Sequence, residues 1–165
     1  LLRAIHAHNE GNLEEAVVIY TKILDSVSDK DKNVIAVIRK HRGMAYFSMN
    51  NYKNALADFE VSLQFDSKAY RTHYYMGIVY SITKEYEKAC ECFNTSLEIN
   101  PFQAHTNFRL AMAYYELQEY EKIFCSYDVK SINGEDVYHR LKTMKMILYY
   151  IYNDRAKVNR QDLVL

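Results

Sequence analysis

The sequence has few of the residues that break helices. It contains one proline and four glycines in 165 residues. Glycine and proline dominate turns and irregular loops, so this composition leaves little room for long connecting segments. At the same time, 49% of the residues are hydrophobic, which is enough to build a core. The shortage excludes a loop-rich fold and favours an all-helical domain.

An excess of either charge is also missing. The chain carries 21 basic and 21 acidic residues, mixed along its length, and its formal net charge is zero. Because no basic stripe is visible, we expect no nucleic acid partner. No run of about 18 apolar residues occurs, so we expect a soluble protein without membrane insertion.

Motifs that carry catalysis or metal binding are absent from the sequence. It has no phosphate-binding loop, no His-Glu-x-x-His and no paired Cys-x-x-Cys. We therefore expect no enzymatic activity, no cofactor and no metal. Cys90, Cys92 and Cys125 are expected to be buried free thiols, which favours a reducing compartment and hence the cytoplasm.

The chain begins with Leu1-Leu2, inside a helical pattern, and not with methionine. We therefore expect a fragment of a longer protein. Any N-terminal targeting sequence would lie outside it, so the compartment stays open.

What the sequence does contain is a repeat with a constant step, equal from Gly43 to Gly77 and from Gly77 to Ala111. Five positions recur at this step, the third time with three changes: Gly43, Tyr46, Tyr52, Ala55 and Phe59; Gly77, Tyr80, Tyr86, Ala89 and Phe93; then Ala111, Tyr114, Tyr120, Ile123 and Tyr127. A degenerate copy comes first, upstream by a longer step: Ala4, Ala7, Leu13, Ala16 and Tyr20. The five extra residues of that step fall within Asp25–Asn33, as a loop or a helix extension.

This spacing and its small and aromatic residues resemble the tetratricopeptide repeat, whose period is about 34 residues. The resemblance implies an all-α fold, an α-solenoid of about four helical hairpins followed by a C-terminal helix. We expect repeats over residues 1–131, divided into a degenerate 1–30, then 36–69, 70–103 and a truncated 104–131. A helix is expected over 135–154 and a polar tail over 155–165. Gly43 and Gly77 predict close helix contacts, with Ala55 and Ala89 as the small residues that face them.

The resemblance further implies a non-catalytic scaffold or adaptor that binds a protein or peptide in a concave groove. In this family the first helix of each hairpin lines the groove, which gives these candidates here: Ile5, His8, Lys40, Met44, Phe47, Arg71, Tyr74, Ile78, Ile82, His105, Phe108, Met112 and Tyr115. Most are apolar or aromatic, so we expect an apolar or amphipathic segment as the ligand. The alternative, a groove partly filled by the chain's own residues or by a tight superhelical turn, stays open.

One ligand class known in this family is not expected here. Members that bind acidic chaperone tails hold two carboxylates with Lys, Asn and Arg on the inner helices. In this sequence Leu1, Ile5, Met44, Tyr74 and Ile78 occupy the corresponding positions. Binding of an acidic chaperone tail is therefore not predicted.

The C-terminal region suggests a different function. Residues 146–152 are apolar on every side of the predicted helix, whereas a terminal helix of a solenoid should have a polar outer face. It could cap the stack with its far side buried by sequence outside the fragment, form a dimer seam or swap between chains, or dock a partner or fold back. The alternative function is thus a homo-oligomerising structural subunit of a larger complex, with self-association through Met146, Ile147, Tyr150 and Ile151.

Overall fold

The computed structural model describes residues 1–119 and Lys122, and in this part of the chain every regular element is a helix. The seven helices there are α1 (Leu2–Asn9), α2 (Leu13–Ser26), α3 (Lys32–Ser48), α4 (Tyr52–Phe65), α5 (Tyr70–Ile82), α6 (Tyr86–Ile99) and α7 (Ala104–Glu116). Successive helices pack as hairpins: α1 with α2, α3 with α4, and α5 with α6. The predicted all-α solenoid is confirmed.

The predicted C-terminal helix over 135–154, the tail over 155–165 and the self-association residues lie outside the described residues. The end of the fourth repeat lies there too. Within residues 1–119, no helix is both long and apolar enough to cross a bilayer.

The turns that follow α1, α3, α5 and α7 each contain one residue in the left-handed backbone region. These residues are Gly11, Asn50, Lys84 and Gln118, with φ of 84°, 58°, 64° and 60°. The backbone amide of the residue that follows each of them donates to a carbonyl of the preceding helix. Asn51 N–H donates to the Tyr46 carbonyl and Glu85 N–H to the Tyr80 carbonyl, both at 2.8 Å. Such a residue ends a helix and satisfies its last carbonyls. The repeat period therefore also appears in the backbone.

The two repeat glycines face the second helix of their own hairpin with no room for a side chain. A Cβ atom added to Gly43 would lie 2.7 Å from Phe59 Cε1, and one added to Gly77 would lie 2.5 Å from Phe93 Cε1. The predicted close contacts are present, but a correction is needed. The ring of the repeat phenylalanine makes the nearest approach to each glycine, and not the methyl group of Ala55 or Ala89.

The five extra residues after the first hairpin are divided between a loop and a helix. α2 ends at Ser26 and α3 begins at Lys32, so residues 27–31 form the connection. α3 has 17 residues, whereas α5 and α7 have 13 each. The added length therefore extends the N-terminal end of α3.

A buried ionic cluster joins the first three long helices. Asp58 on α4 is 2% exposed. Arg42 on α3 donates to both of its oxygens, at 2.7 and 2.8 Å, and Arg39 donates to Oδ1 at 2.8 Å. Arg42 also donates to the Thr21 hydroxyl on α2 at 2.9 Å. Bidentate arginine–carboxylate geometry fixes orientation, so this cluster sets how α2, α3 and α4 fit together.

Candidate functional site

Helices α3, α5 and α7 and one loop enclose a cleft of about 730 Å³. Its walls come from the middle of α3, the N-terminal halves of α5 and α7, and the loop between α6 and α7. The lining residues are Lys40, His41, Met44, Tyr70, Arg71, Tyr74, Tyr75, Phe102, Gln103, Ala104, His105 and Thr106. Five predicted groove residues meet here: Lys40, Met44, Arg71, Tyr74 and His105.

Aromatic rings anchored in the core form one wall of this cleft. The Tyr74 ring lies 5.5 Å from the Tyr75 ring and 6.1 Å from the buried Phe93 ring, measured between centroids. Tyr75 in turn lies 5.9 Å from Phe47 and 6.2 Å from Phe59. Each ring is therefore held on more than one side. A ligand would meet a preorganised surface, which reduces the ordering cost of binding.

The remaining predicted groove residues do not line the cleft. Ile78 is 9% exposed and packs in the core with Ala89, Phe93 and Leu110, so it contributes to helix packing and is a correction to the predicted binding surface. Ile82 is 47% exposed beyond the cleft. Six others also lie outside the lining set: Ile5, His8, Phe47, Phe108, Met112 and Tyr115.

Charge in the cleft is of one sign. Lys40 and Arg71 line it, and among the described residues that line it there is no carboxylate. The Arg71 guanidinium is positioned by its neighbour, since Nε donates to the Tyr70 hydroxyl at 3.2 Å and the group lies 5.8 Å from the Tyr70 ring centroid. Within residues 1–119, neither Lys40 nor Arg71 forms an ion pair with an acidic side chain.

This local excess belongs to a separation of charge between the two sets of helices. Described residues in α1, α3, α5 and α7 include these charged side chains: Arg3, Lys32, Arg39, Lys40, Arg42, Arg71, Arg109 and a single acid, Glu116. Helices α2, α4 and α6 carry mostly acids: Glu14, Glu15, Asp25, Asp58, Glu60, Glu87, Glu91 and Glu98, with Lys22, Lys53 and Lys88 as the bases. The charges are thus mixed along the chain but sorted by helix. The zero net charge conceals a basic set of helices and an acidic one.

His41 lines the cleft as a neutral side chain at physiological pH. Burial, followed by the charge of Lys40 and that of His8, lowers the pKa of His41 below its ordinary value of 6.5. Its ring stacks on the buried Tyr20 ring at 6.3 Å. The positive charge offered to a ligand therefore comes from Lys40 and Arg71.

Several lining residues were not predicted from the sequence, and Phe102 is the most exposed of them. It lies in the loop between α6 and α7, whereas the prediction considered helix positions only. Its side chain is 72% exposed. An alignment of the two loops at the repeat spacing would have drawn attention to Phe102, because the equivalent position of the preceding loop is the charged Lys68.

Comparison with known proteins agrees with this architecture. Tetratricopeptide repeat models match residues 41–68 and residues 70–102. Residues 41–102 of the chain thus carry two tetratricopeptide repeats. Such repeats are generally non-catalytic interaction modules.

One relative of known sequence and two solved structures indicate how far the likeness extends. Over 71 residues, 43% of the chain, it is 32% identical to human Tetratricopeptide repeat protein 12, and this match spans 9% of that protein's length. The structure of MamA 41-end from Desulfovibrio magneticus RS-1 matches with a TM-score of 0.65 and 18% identity, over 86% of this chain and 70% of that one. The first TPR of Spaghetti (RPAP3), bound to the HSP90 peptide SRMEEVD, matches with a TM-score of 0.65 and 21% identity, over 70% and 88%. At these identities the two structures establish the shared fold.

The second structure corrects one expectation. The prediction against acidic chaperone tails compared only the clamp positions of the family with this sequence. The same fold in that neighbour holds a peptide with two glutamates and an aspartate. The prediction against acidic tails is therefore not supported. It took no account of Lys40 and Arg71, the basic residues of this cleft, whose positive charge attracts acidic groups.

Other candidate chemistry in the described residues is limited. Burial raises the pKa of the Cys90 thiol to about 12 and that of Cys92 to about 11, so both stay protonated and unreactive. No group of three or more His, Cys, Asp or Glu side chains within residues 1–119 is arranged to hold a metal ion. Cys125 lies outside the described residues.

Proposed function

We propose that this chain is a non-catalytic scaffold that binds an amphipathic segment of a partner protein in the cleft between α3, α5, α7 and the loop 100–103. The observation that carries the proposal is the composition of that cleft in the described part of the chain: an aromatic wall, two cations and no lining carboxylate. The chain covers only part of its relatives, so the partner and the role of the whole protein belong to this proposal as well.

The exposed parts of the aromatic wall are the argument for apolar side chains in the ligand. Met44 and Tyr74 are each partly buried by the core and partly open to the cleft. Methionine is flexible and adapts to different ligand shapes, whereas a tyrosine held between other rings offers a rigid surface. Together they suit aliphatic or aromatic side chains of a partner.

The positive charge of the cleft is the argument for acidic side chains in the ligand. Lys40 and Arg71 have no acidic partner within the described residues, and the odd-numbered helices around them are basic overall. An acidic group on the ligand would gain attraction from both cations and would meet no repelling carboxylate among the described lining residues. We therefore propose a segment that combines apolar and acidic side chains.

The test uses random peptides displayed on phage and selected on the wild-type chain. We expect the enriched peptides to carry apolar residues next to Asp or Glu. The variant Lys40→Glu/Arg71→Glu reverses the charge of the cleft and should lose these peptides. A matched control, Lys53→Glu/Lys68→Glu, changes the net charge equally at exposed positions outside the cleft and should retain them.

Circular dichroism melting of both double variants establishes that they fold. Enrichment of basic peptides, or equal retention by both double variants, would contradict the proposed site. If the wild-type chain enriches no peptide, the proposed function itself is wrong.

A further inference from the structure

Phe102 presents a large apolar surface to solvent at the rim of the cleft. Its side chain is 72% exposed, and it lines the cleft together with residues of α3, α5 and α7. An isolated exposed apolar residue needs no explanation. One placed beside a cleft that already has an aromatic wall extends the same apolar surface.

The fold does not require a phenylalanine at this position. The preceding loop, between α4 and α5, has Lys68 one repeat earlier, and that side chain is exposed too. Both loops connect the same kinds of helix at the same spacing. Packing of the repeat therefore accepts a charged residue here and does not by itself require an aromatic ring.

The loop that carries Phe102 is held in one conformation by hydrogen bonds. Gln103 Nε2 donates to the Ser96 carbonyl at 2.9 Å and to the Asn100 carbonyl at 2.6 Å. Gln103 Oε1 accepts from the hydroxyls of Ser96 and Thr106, at 3.2 and 3.1 Å. Phe102 N–H donates to Asn100 Oδ1 at 3.2 Å. The preceding loop has Ala69 in place of Gln103 and cannot make these side-chain bonds.

From these observations we infer that Phe102 is a specificity-determining residue of the cleft. It packs against an apolar side chain of the partner segment, while a nearby carboxylate of the same segment pairs with Lys40 or Arg71. This inference rests on the proposed function and adds a selection rule to it. The partner must place an apolar side chain within one or two residues of an acidic one, because the ring and the cations line one cleft.

The Phe102 ring is suited to this role because it loses little conformational entropy on binding. Its loop is already ordered, and a phenylalanine side chain has only two torsions to fix. Burial of its exposed surface by a ligand gives apolar contact at small entropic cost. Rigid aromatic residues of this kind are frequent among the positions that dominate binding energy.

The test measures affinity for one peptide by fluorescence polarisation. The probe is a fluorescein-labelled synthetic copy of the peptide most enriched on the wild-type chain, together with a copy in which its apolar residue next to Asp or Glu is replaced by alanine. We expect Phe102→Ala to weaken binding of the first peptide by about tenfold, as for an aromatic interface anchor. Lys68→Ala, at the same position one repeat earlier, should leave it unchanged.

The second peptide separates direct contact from an indirect effect. If Phe102 contacts the apolar residue, the loss caused by Phe102→Ala should largely vanish for the alanine peptide, as in a double-mutant cycle. Phe102→Leu should recover part of the affinity. Equal affinity of wild type and Phe102→Ala for the first peptide would overturn the inference and leave the proposed function standing. Absence of any enriched peptide would overturn both.

Discussion

The hairpins α3–α4 and α5–α6 share one frame but are held together differently. Both place a repeat glycine against a phenylalanine ring. In both, a buried serine on the second helix donates to a carbonyl of the first: Ser62 to Ala36 and Ser96 to Tyr70, each at 2.8 Å. The frame therefore consists of a few positions that recur once in every repeat, and they are the ones that the sequence pattern identifies.

Between those positions the two hairpins diverge. Arg42 and Asp58 form a buried ionic contact in the first, whereas the same positions in the second are Met76 and Cys92, which belong to an apolar cluster. The loop after each hairpin differs as well, with Lys68 in one and Phe102 in the other. The comparison teaches that the frame leaves the intervening positions free to differ, and that both hairpins use some of them to line the cleft.

The largest effect should come from breaking the ionic contact of the first hairpin. Asp58→Ala leaves Arg42 and Arg39 without their buried partner and should lower the free energy of unfolding by about 3–5 kcal/mol. Cys92→Ala, at the matching position of the second hairpin, removes one sulfur and should cost about 1 kcal/mol. Urea denaturation measures both values.

The same pair can be exchanged to sharpen the comparison. The variant Arg42→Met/Asp58→Cys copies the second hairpin into the first and removes both charges together. We expect it to be more stable than Asp58→Ala, since only Arg39 then loses its partner, and the Arg39 side chain is 32% exposed, against 13% for Arg42. Equal losses in Asp58→Ala and Cys92→Ala would show that the ionic contact contributes little.

Replacement of the repeat glycines should have an intermediate effect in both hairpins. Gly43→Ala and Gly77→Ala force a methyl group into a phenylalanine ring, so each should lower stability by about 1–3 kcal/mol. In an uncrowded helix the same change would stabilise by about 1 kcal/mol through helix propensity. Thermal denaturation distinguishes the two outcomes, and a rise in the melting temperature would contradict the close contact.

The frame serines should give a smaller effect that differs between the hairpins. Ser62→Ala removes one hydrogen bond and should cost about 1 kcal/mol. Ser96→Ala should cost more, because its one hydroxyl proton is shared between the Tyr70 carbonyl and Gln103 Oε1, in the loop that carries Phe102. Amide hydrogen exchange of Asn100, Phe102 and Gln103 should then rise in Ser96→Ala only. Unchanged exchange there would argue against a loop ordered by this network.

The smallest predicted effect is the pH dependence contributed by His41. Since burial and two nearby positive groups lower the pKa of His41 in the folded state, the unfolded chain takes up the proton first. The stability it contributes is full above about pH 6.5 and is lost as pH falls through the folded pKa. His41→Gln should therefore show a shallower loss of stability on acidification. Parallel curves for wild type and variant would contradict this.

How much the sequence could predict follows from what repeats. The helices, their pairing and the glycine contacts were all predictable, because each depends on a position that recurs once in every repeat. The role of Ile78 could not be predicted, since its burial depends on how α7 packs over α5. Phe102 was missed because it lies in a loop, and the sorted charges were missed because net charge and local mixing hide which helix each residue belongs to.

The most direct measurement of the central claim is an NMR titration of the folded chain with the peptide most enriched on it. Backbone and side-chain resonances report which surface the ligand touches. We predict that the shifted signals cluster at Lys40, Met44, Arg71, Tyr74 and Phe102, around the cleft. Shifts confined to α2, α4 and α6 would contradict the account, since the ligand would then lie on the acidic helices.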